Sequence, residues 1–285
     1  MGCRAIASPR HPNRYLPTLS CFVGRATAAL LVAVGGVAAA GEVEEMVEGV
    51  RGRIVKDSDG EIVEIDLANA PATGADVAKL AGLPKLTKLR LWGAKIDDDA
   101  LAPLATLPAL VDLTLFNTTV TDAGVAGLEK LDKLRSLSLQ GSPEVTSGSA
   151  DVIRRMTDLT HFSAPYTRFT DEGVAKLDTL KKLRLLDLRG CAVTNDALKI
   201  APQLPALVSL KLRSSAINDE GIKHLQGLTK LRGLHLEDAK LSDEALQRLS
   251  RLTALDDLNL LRVPIGDDAA AAFGDMNKMR QLNLR

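Results

Sequence analysis

Ser163, Asp187, Lys211 and His235 follow one another at intervals of 24 residues. A hydroxyl, a carboxylate and an imidazole in one row are the parts of an activated nucleophile. The order defeats that chemistry. Lys211 falls between Asp187 and His235, so the acid cannot orient the imidazole, and the row reads instead as a cross-strand Asp187–Lys211 ion pair on a solvated face. Cys191 is the other nucleophile type, but neighbouring repeats carry Thr, Ser or Ala at its position, which marks a buried structural thiol. Of the four histidines, His11 lies near the start of the chain and His224 in a helical pattern. His161 and His235 stand on strands three repeats apart, about 14 Å at ~4.8 Å per strand, too far to share a metal ion. Acids recur in Thr121-Asp122, Thr170-Asp171-Glu172, Asn218-Asp219-Glu220 and Ser242-Asp243-Glu244. They accompany each helix start, without a Gly-rich calcium loop, and so fit capping and the helix dipole better than metal binding. No phosphate loop, Cys pair or H-E-x-x-H is present. The expectation is a protein that is not an enzyme and holds no cofactor or metal.

The elements that position these residues follow from one periodicity. Leu86, Leu110, Leu134, Leu159, Leu183, Leu207, Leu231, Leu255 and Met279 are 24 residues apart, with one step of 25 between Leu134 and Leu159. A fixed period of that size means a solenoid. Each period opens with L-x-x-L-x-L, whose final alternation suits a short strand, as in Leu86, Leu89 and Leu91. It continues with apolar residues at steps of three, such as Val125, Leu128 and Leu131, which predicts a helix. Extending the register places a first strand at Ile65 and Leu67 and a last one at Leu282 and Leu284, ten strands in all. Before the array, Arg53 to Lys56, the turn Asp57-Ser58-Asp59-Gly60 and Glu61 to Leu67 read as a hairpin, and Glu42 to Arg51 as a short capping helix. At the far end, Phe273, Met276 and Met279 have no following repeat in the sequence to cover them.

The whole pattern, L-x-x-L-x-L-x-x-(small)-x-(aliphatic)-T-D-x-G-(aliphatic)-x-x-L-x-x-L, resembles a leucine-rich repeat protein. It is similar to the T-D-x-G-L, Cys-containing or ribonuclease-inhibitor-like subtype, with Ala94, Thr118, Ser142, Thr167, Cys191, Ser215 and Ala239 in the small slot. The resemblance implies an α/β fold: a right-handed horseshoe solenoid with parallel strands on its concave face and helices on its convex face. It also implies a non-catalytic module that binds a protein partner of unknown identity there. The expected divisions are residues 1–40 as signal peptide or anchor, 41–60 as the helix and hairpin cap, and 61–285 as the repeat domain. Outward strand positions make Trp92, Phe116 and the nearby Tyr166 candidate aromatic anchors, with Arg189, Lys211, Arg213, His235 and Glu237 as a mixed charged patch beside them. The lengthened repeat, Gly141 to Gly148, falls close to Tyr166.

Residues 1–40 hold four Arg and no acid, then an apolar stretch from Ala26 to Val37, then Ala38-Ala39-Ala40. That order resembles a secretory signal cleaved after Ala40, and the apolar run falls short of the ~20 residues of a spanning helix. Export to an envelope, the periplasm or the exterior is the expectation; membrane anchoring or an organelle address are the alternatives. Removing this segment turns a balance of 36 basic and 36 acidic residues into 32 and 36, which offers no global attraction to nucleic acid or an anionic membrane. Two further functional alternatives are a substrate adaptor of the F-box type and a self-assembling envelope component that dimerises through the C-terminal edge.

Overall fold

The computed structural model describes residues 40–274 and 276–285. The signal or anchor reading of the N-terminal segment lies outside these residues, Ala40 apart. Helix α1 (40–49) buries Val43, Met46 and Val47 along one face. Gly52 then lets the chain pass close to the sheet, because a Cβ there would stand 2.4 Å from Leu67 Cδ2. Strands β1 (Arg53–Lys56) and β2 (Ile62–Leu67) pair antiparallel. Their turn forms as the sequence dictates: Asp57 Oδ1 accepts the N–H groups of Asp59 and Glu61, and Gly60 adopts φ +83°.

From β2 the sheet runs parallel through β3 (Lys88–Trp92), β4 (Asp112–Phe116), β5 (Ser136–Ser138), β6 (His161–Ser163), β7 (Leu185–Arg189), β8 (Ser209–Arg213), β9 (Gly233–Glu237), β10 (Asp257–Asn259) and β11 (Gln281–Asn283). The strands are hydrogen-bonded in chain order and the sheet does not close on itself. Register follows the leucine period, with Leu89 opposite Leu113 and Leu113 opposite Leu137, and the longer step places Leu137 opposite Phe162. The extra residue falls in Pro143-Glu144. Ser142 bonds Thr118 across a 24-residue step, whereas the next buried aliphatic, Val145, lies 25 residues after Val120. Just before each strand, one carbonyl accepts two successive N–H groups of the next repeat, as Thr87 O does from Val111 and Asp112. The doubling recurs at Val111, Arg135, Thr160, Arg184, Val208, Arg232 and Asp256. It satisfies the donors where the chain turns into the sheet.

The opposite layer departs from the expected helices. In most repeats it is a single α-turn followed by a 3-10 turn, as in α2 (Asp98–Leu101) and Ala102–Thr106, or α3 (Asp122–Gly127) and Leu128–Lys130. The reason lies in the spacing: apolar residues at steps of three eclipse on a 3-10 helix and drift on an α-helix. Pro103 and Pro202 also open two of these 3-10 turns. Longer helices occur only in α4 (Asp243–Leu249) and α5 (Asp267–Gly274) among the described residues of this layer. Between the layers one continuous core runs from Val43 to Phe273.

The acids at the helix starts bond the following repeat. Asp98 accepts the Thr121 N–H at Oδ1 (2.7 Å) and the Thr121 hydroxyl at Oδ2 (2.6 Å), while Thr121 Oγ1 accepts the Ala123 N–H of its own helix. Asp171 with Thr194 and Asp219 with Ser242 repeat the pattern, and Asn195 with Asn218 replaces it with amides. Thr121, Asn218 and Ser242 therefore cap as expected, Thr170 bonds Ser147 across the repeat and makes no cap bond, and the carboxylates do more than complement a dipole.

Candidate functional site

Trp92 ends β3 directly opposite Phe116 of β4. Alternation along the strand buries Leu91 and leaves Trp92 37% exposed, with Phe116 half-buried beside it. Two residues beyond the last inward position of most strands, the chain makes a left-handed turn, at Gly93, Asn117, Gly141, Tyr166, Gly190, Asp238 and Arg262. Gly and Asn accept that conformation readily, but a tyrosine does not. Tyr166 is held there with φ +59° and is 51% exposed, its ring lying over Gly190, where a Cβ would meet Cδ1 at 2.5 Å. Trp92, Phe116 and Tyr166 thus line the C-terminal edge of the sheet, with Gln140 and a buried Pro165 between them.

Beyond Tyr166 the charged candidates Arg189, Arg213, His235 and Glu237 each bond a residue outside the candidate set. Asp187 is 5% exposed and accepts two parallel bonds from Arg189, Nε at 3.0 Å and Nη2 at 2.7 Å. This corrects the expected Asp187–Lys211 pair: Lys211 is in register opposite Asp187, yet Arg189 on the same strand reaches it with a planar two-pronged donor that lysine lacks. The carboxylate also raises the pKa of Arg189. Glu237 is likewise buried and accepts from Asn259 Nδ2. His235 bonds Asp257 through Nε2 at 2.9 Å, and its buried Nδ1 has no partner.

Arg213 donates to Asp238, and so does Arg262, so one carboxylate joins two guanidiniums. Arg262 first and Arg213 second pull the Asp238 pKa down to about 2. Tyr166, Gly190, Arg213, Asp238 and Arg262 border an open concavity of 690 Å³ with Cys191 at its side. Asp238 and Arg262 were not among the sequence candidates. Their signal was the left-handed position itself, 24 residues apart and in line with Asn117 and Gly190.

The Cys191 thiol donates to Ala164 O at 3.1 Å, and burial pushes its pKa up, as suits a structural residue. Thr118, Ser142, Thr167 and Ala239 are buried in the same slot, whereas Ala94 and Ser215 are exposed. At Ser215 the preceding residue, Ser214, lacks the left-handed turn and bonds Val193 O instead. Burial first and Arg184 second lower the pKa of His161, and the ring bonds Thr160. Among the described residues no three His, Cys, Asp or Glu side chains converge on a metal position, and no helix is long and apolar enough to cross a membrane.

No protein-family model matches this sequence, and no curated protein matches it. Among solved structures, internalin C2 of Listeria monocytogenes is similar at 21% identity and a TM-score of 0.55, over 85% of this chain and 92% of that one. A second internalin of the same organism, InlF, gives 19% identity and a TM-score of 0.47 over 73% and 70% of the two chains. The likeness to internalin C2 is one of fold, an open solenoid of parallel strands backed by helical turns.

Proposed function

Because this chain is a leucine-rich repeat protein, we propose that it is a non-catalytic module, exported from the cell, that binds a protein partner on the sheet face of its solenoid. The observation that carries the reading is the row of Trp92, Phe116 and Tyr166, in which two large aromatic side chains stay exposed, while the other exposed large apolar side chains among the described residues, Leu282 and Leu284, lie at the end of the array. Exposed aromatic rings at a sheet edge supply contact area at little entropic cost to a partner. Asp187 is taken up by Arg189, and Nδ1 of His235, the ring nitrogen left over by its bond to Asp257, meets no hydroxyl or thiol, which favours binding over catalysis. Arg189, Lys211, Arg213, His235 and Glu237 then act as a polar border that sets the orientation of the partner. Export rests on the basic, apolar and small order of residues 1–40.

A photo-crosslinking residue in place of Gln140, between Phe116 and Pro165, tests the surface in the compartment where the protein resides. We expect partner adducts that disappear when Trp92 and Phe116 are both replaced by Ala, with a melting temperature nearly unchanged. Adducts that persist, or a large loss of thermal stability, would assign the two rings to shielding the core instead.

A further inference from the structure

From Leu134 onward every second repeat carries a cation on each side of its anchor: Lys133 and Arg135, Lys182 and Arg184, Lys230 and Arg232, Lys278 and Arg280. The repeats between them hold Asp158 and Thr160, Ala206 and Val208, and Ala254 and Asp256 at those places. All stand at the N-terminal ends of the strands, where the doubly bonded carbonyls of Arg135, Arg184 and Arg232 tie one repeat to the next. They form a rim along the long edge of the sheet opposite to Trp92 and Tyr166. Successive cationic repeats are two strand spacings, about 10 Å, apart on it.

Asp158 shows what the positions between cationic repeats accommodate. Its carboxylate takes Arg135 Nη2 of the preceding repeat at 3.1 Å and Lys182 Nζ of the following one at 2.5 Å. Ala206 lies between Lys182/Arg184 and Lys230/Arg232, and Ala254 between Lys230/Arg232 and Lys278/Arg280, with only a methyl group where Asp158 has its carboxylate. At Ala254 the result is a notch of 710 Å³ floored by Val208, Ala254 and Met279 and walled by the cations. Asp256 occupies Arg232, while Lys230 and Arg280 have no carboxylate partner among the described residues.

We propose that this rim is a second interaction surface, which receives an acidic protein segment whose carboxylates enter the Ala206 and Ala254 positions as Asp158 fills its own. Carboxylates seven residues apart on an α-helix are separated by about 10.5 Å, matching the two-repeat step. The chain's own occupant is a carboxylate on a short stem, which favours an acidic segment over a phosphate or sulfate polymer. The rim and the aromatic row lie at opposite ends of the strands, so either surface can fail without the other.

Fluorescence anisotropy of a labelled helical peptide with Glu at every seventh position, titrated with the full protein at low salt, tests the rim. We expect A206D and A254D, which supply the missing carboxylate internally, to weaken binding about tenfold each, a change of ~1.4 kcal/mol. D158A, which opens a third position, should strengthen it, and K95A, with the same change in net charge far from the rim, should leave it unaltered. The D158A arm keeps the test decisive if an aspartate variant fails to fold. Equal losses in A254D and K95A would reduce the effect to general charge attraction and overturn the proposal. Tighter binding of a polysulfate or an oligonucleotide than of the peptide, undiminished in A254D, would overturn an acidic protein as the occupant.

Discussion

A carboxylate shared by two guanidiniums is a local device with a consequence for acid stability. Asp238 between Arg262 and Arg213 has a folded pKa of about 2 against 3.8 for the unconstrained group. Since the folded value is the lower one, its contribution is complete above about pH 4 and is lost as the pH falls toward 2. Urea midpoints measured from pH 6 to pH 2 should therefore fall less steeply in D238N than in the parent protein. An unchanged slope would place Asp238 outside the linkage. Some acid sensitivity should persist, because the Glu61 N–H and Lys182 hold Asp57 and Asp158 below their usual range. At this scale the sequence shows which residues are neighbours but not which one wins a shared acceptor. Asp187 faces Lys211 in register, yet the bond goes to Arg189, because geometry along one strand favours a bidentate donor.

Among the elements, the leucine spacing made every parallel strand legible, since an inward side chain at every second residue permits little else. The helical layer was less so. Steps of three were read as a helix, and only the structure shows each to divide into an α-turn and a 3-10 turn in most repeats, since a window of two steps cannot separate a period of 3.0 from 3.6. The acids of the helix starts were legible as caps, while their bonds to the next repeat require knowing how closely successive turns stack. Asp171 illustrates the cost of losing one: it accepts the Thr194 N–H, the Thr194 hydroxyl and the Ala197 N–H. D171A strands these donors in a partly buried place and should lower the unfolding free energy by about 1–3 kcal/mol. The urea midpoint should drop at an unchanged m-value, and a loss within ±0.3 kcal/mol would mean that water replaces the carboxylate.

For the whole molecule, the period predicted the solenoid, while the balance of charge concealed the arrangement of charge. A total of 36 basic and 36 acidic residues says nothing of a cationic rim on one edge, because counting discards position along the repeat. The continuous core and the bonded ladders also predict how the array comes apart. Trp92, the one tryptophan, reports on the third strand alone, whereas far-UV circular dichroism averages over all repeats. We expect the two urea transitions to coincide, as for a single cooperative unit. A separate, earlier transition at Trp92 would show that the N-terminal repeats open on their own.

The carbonyl that accepts from two successive amides of the next repeat bears on time as well as on stability. It closes a loop of only about 24 residues, and most contacts of the sheet close loops of that same length. The average separation of touching residues is then roughly a tenth of the chain, the range of helical bundles rather than of β-sandwiches, despite eleven strands. This sheet can grow one repeat at a time on whichever repeat forms first, and so avoids the long-range loop closures that a β-sandwich has to make before its contacts form.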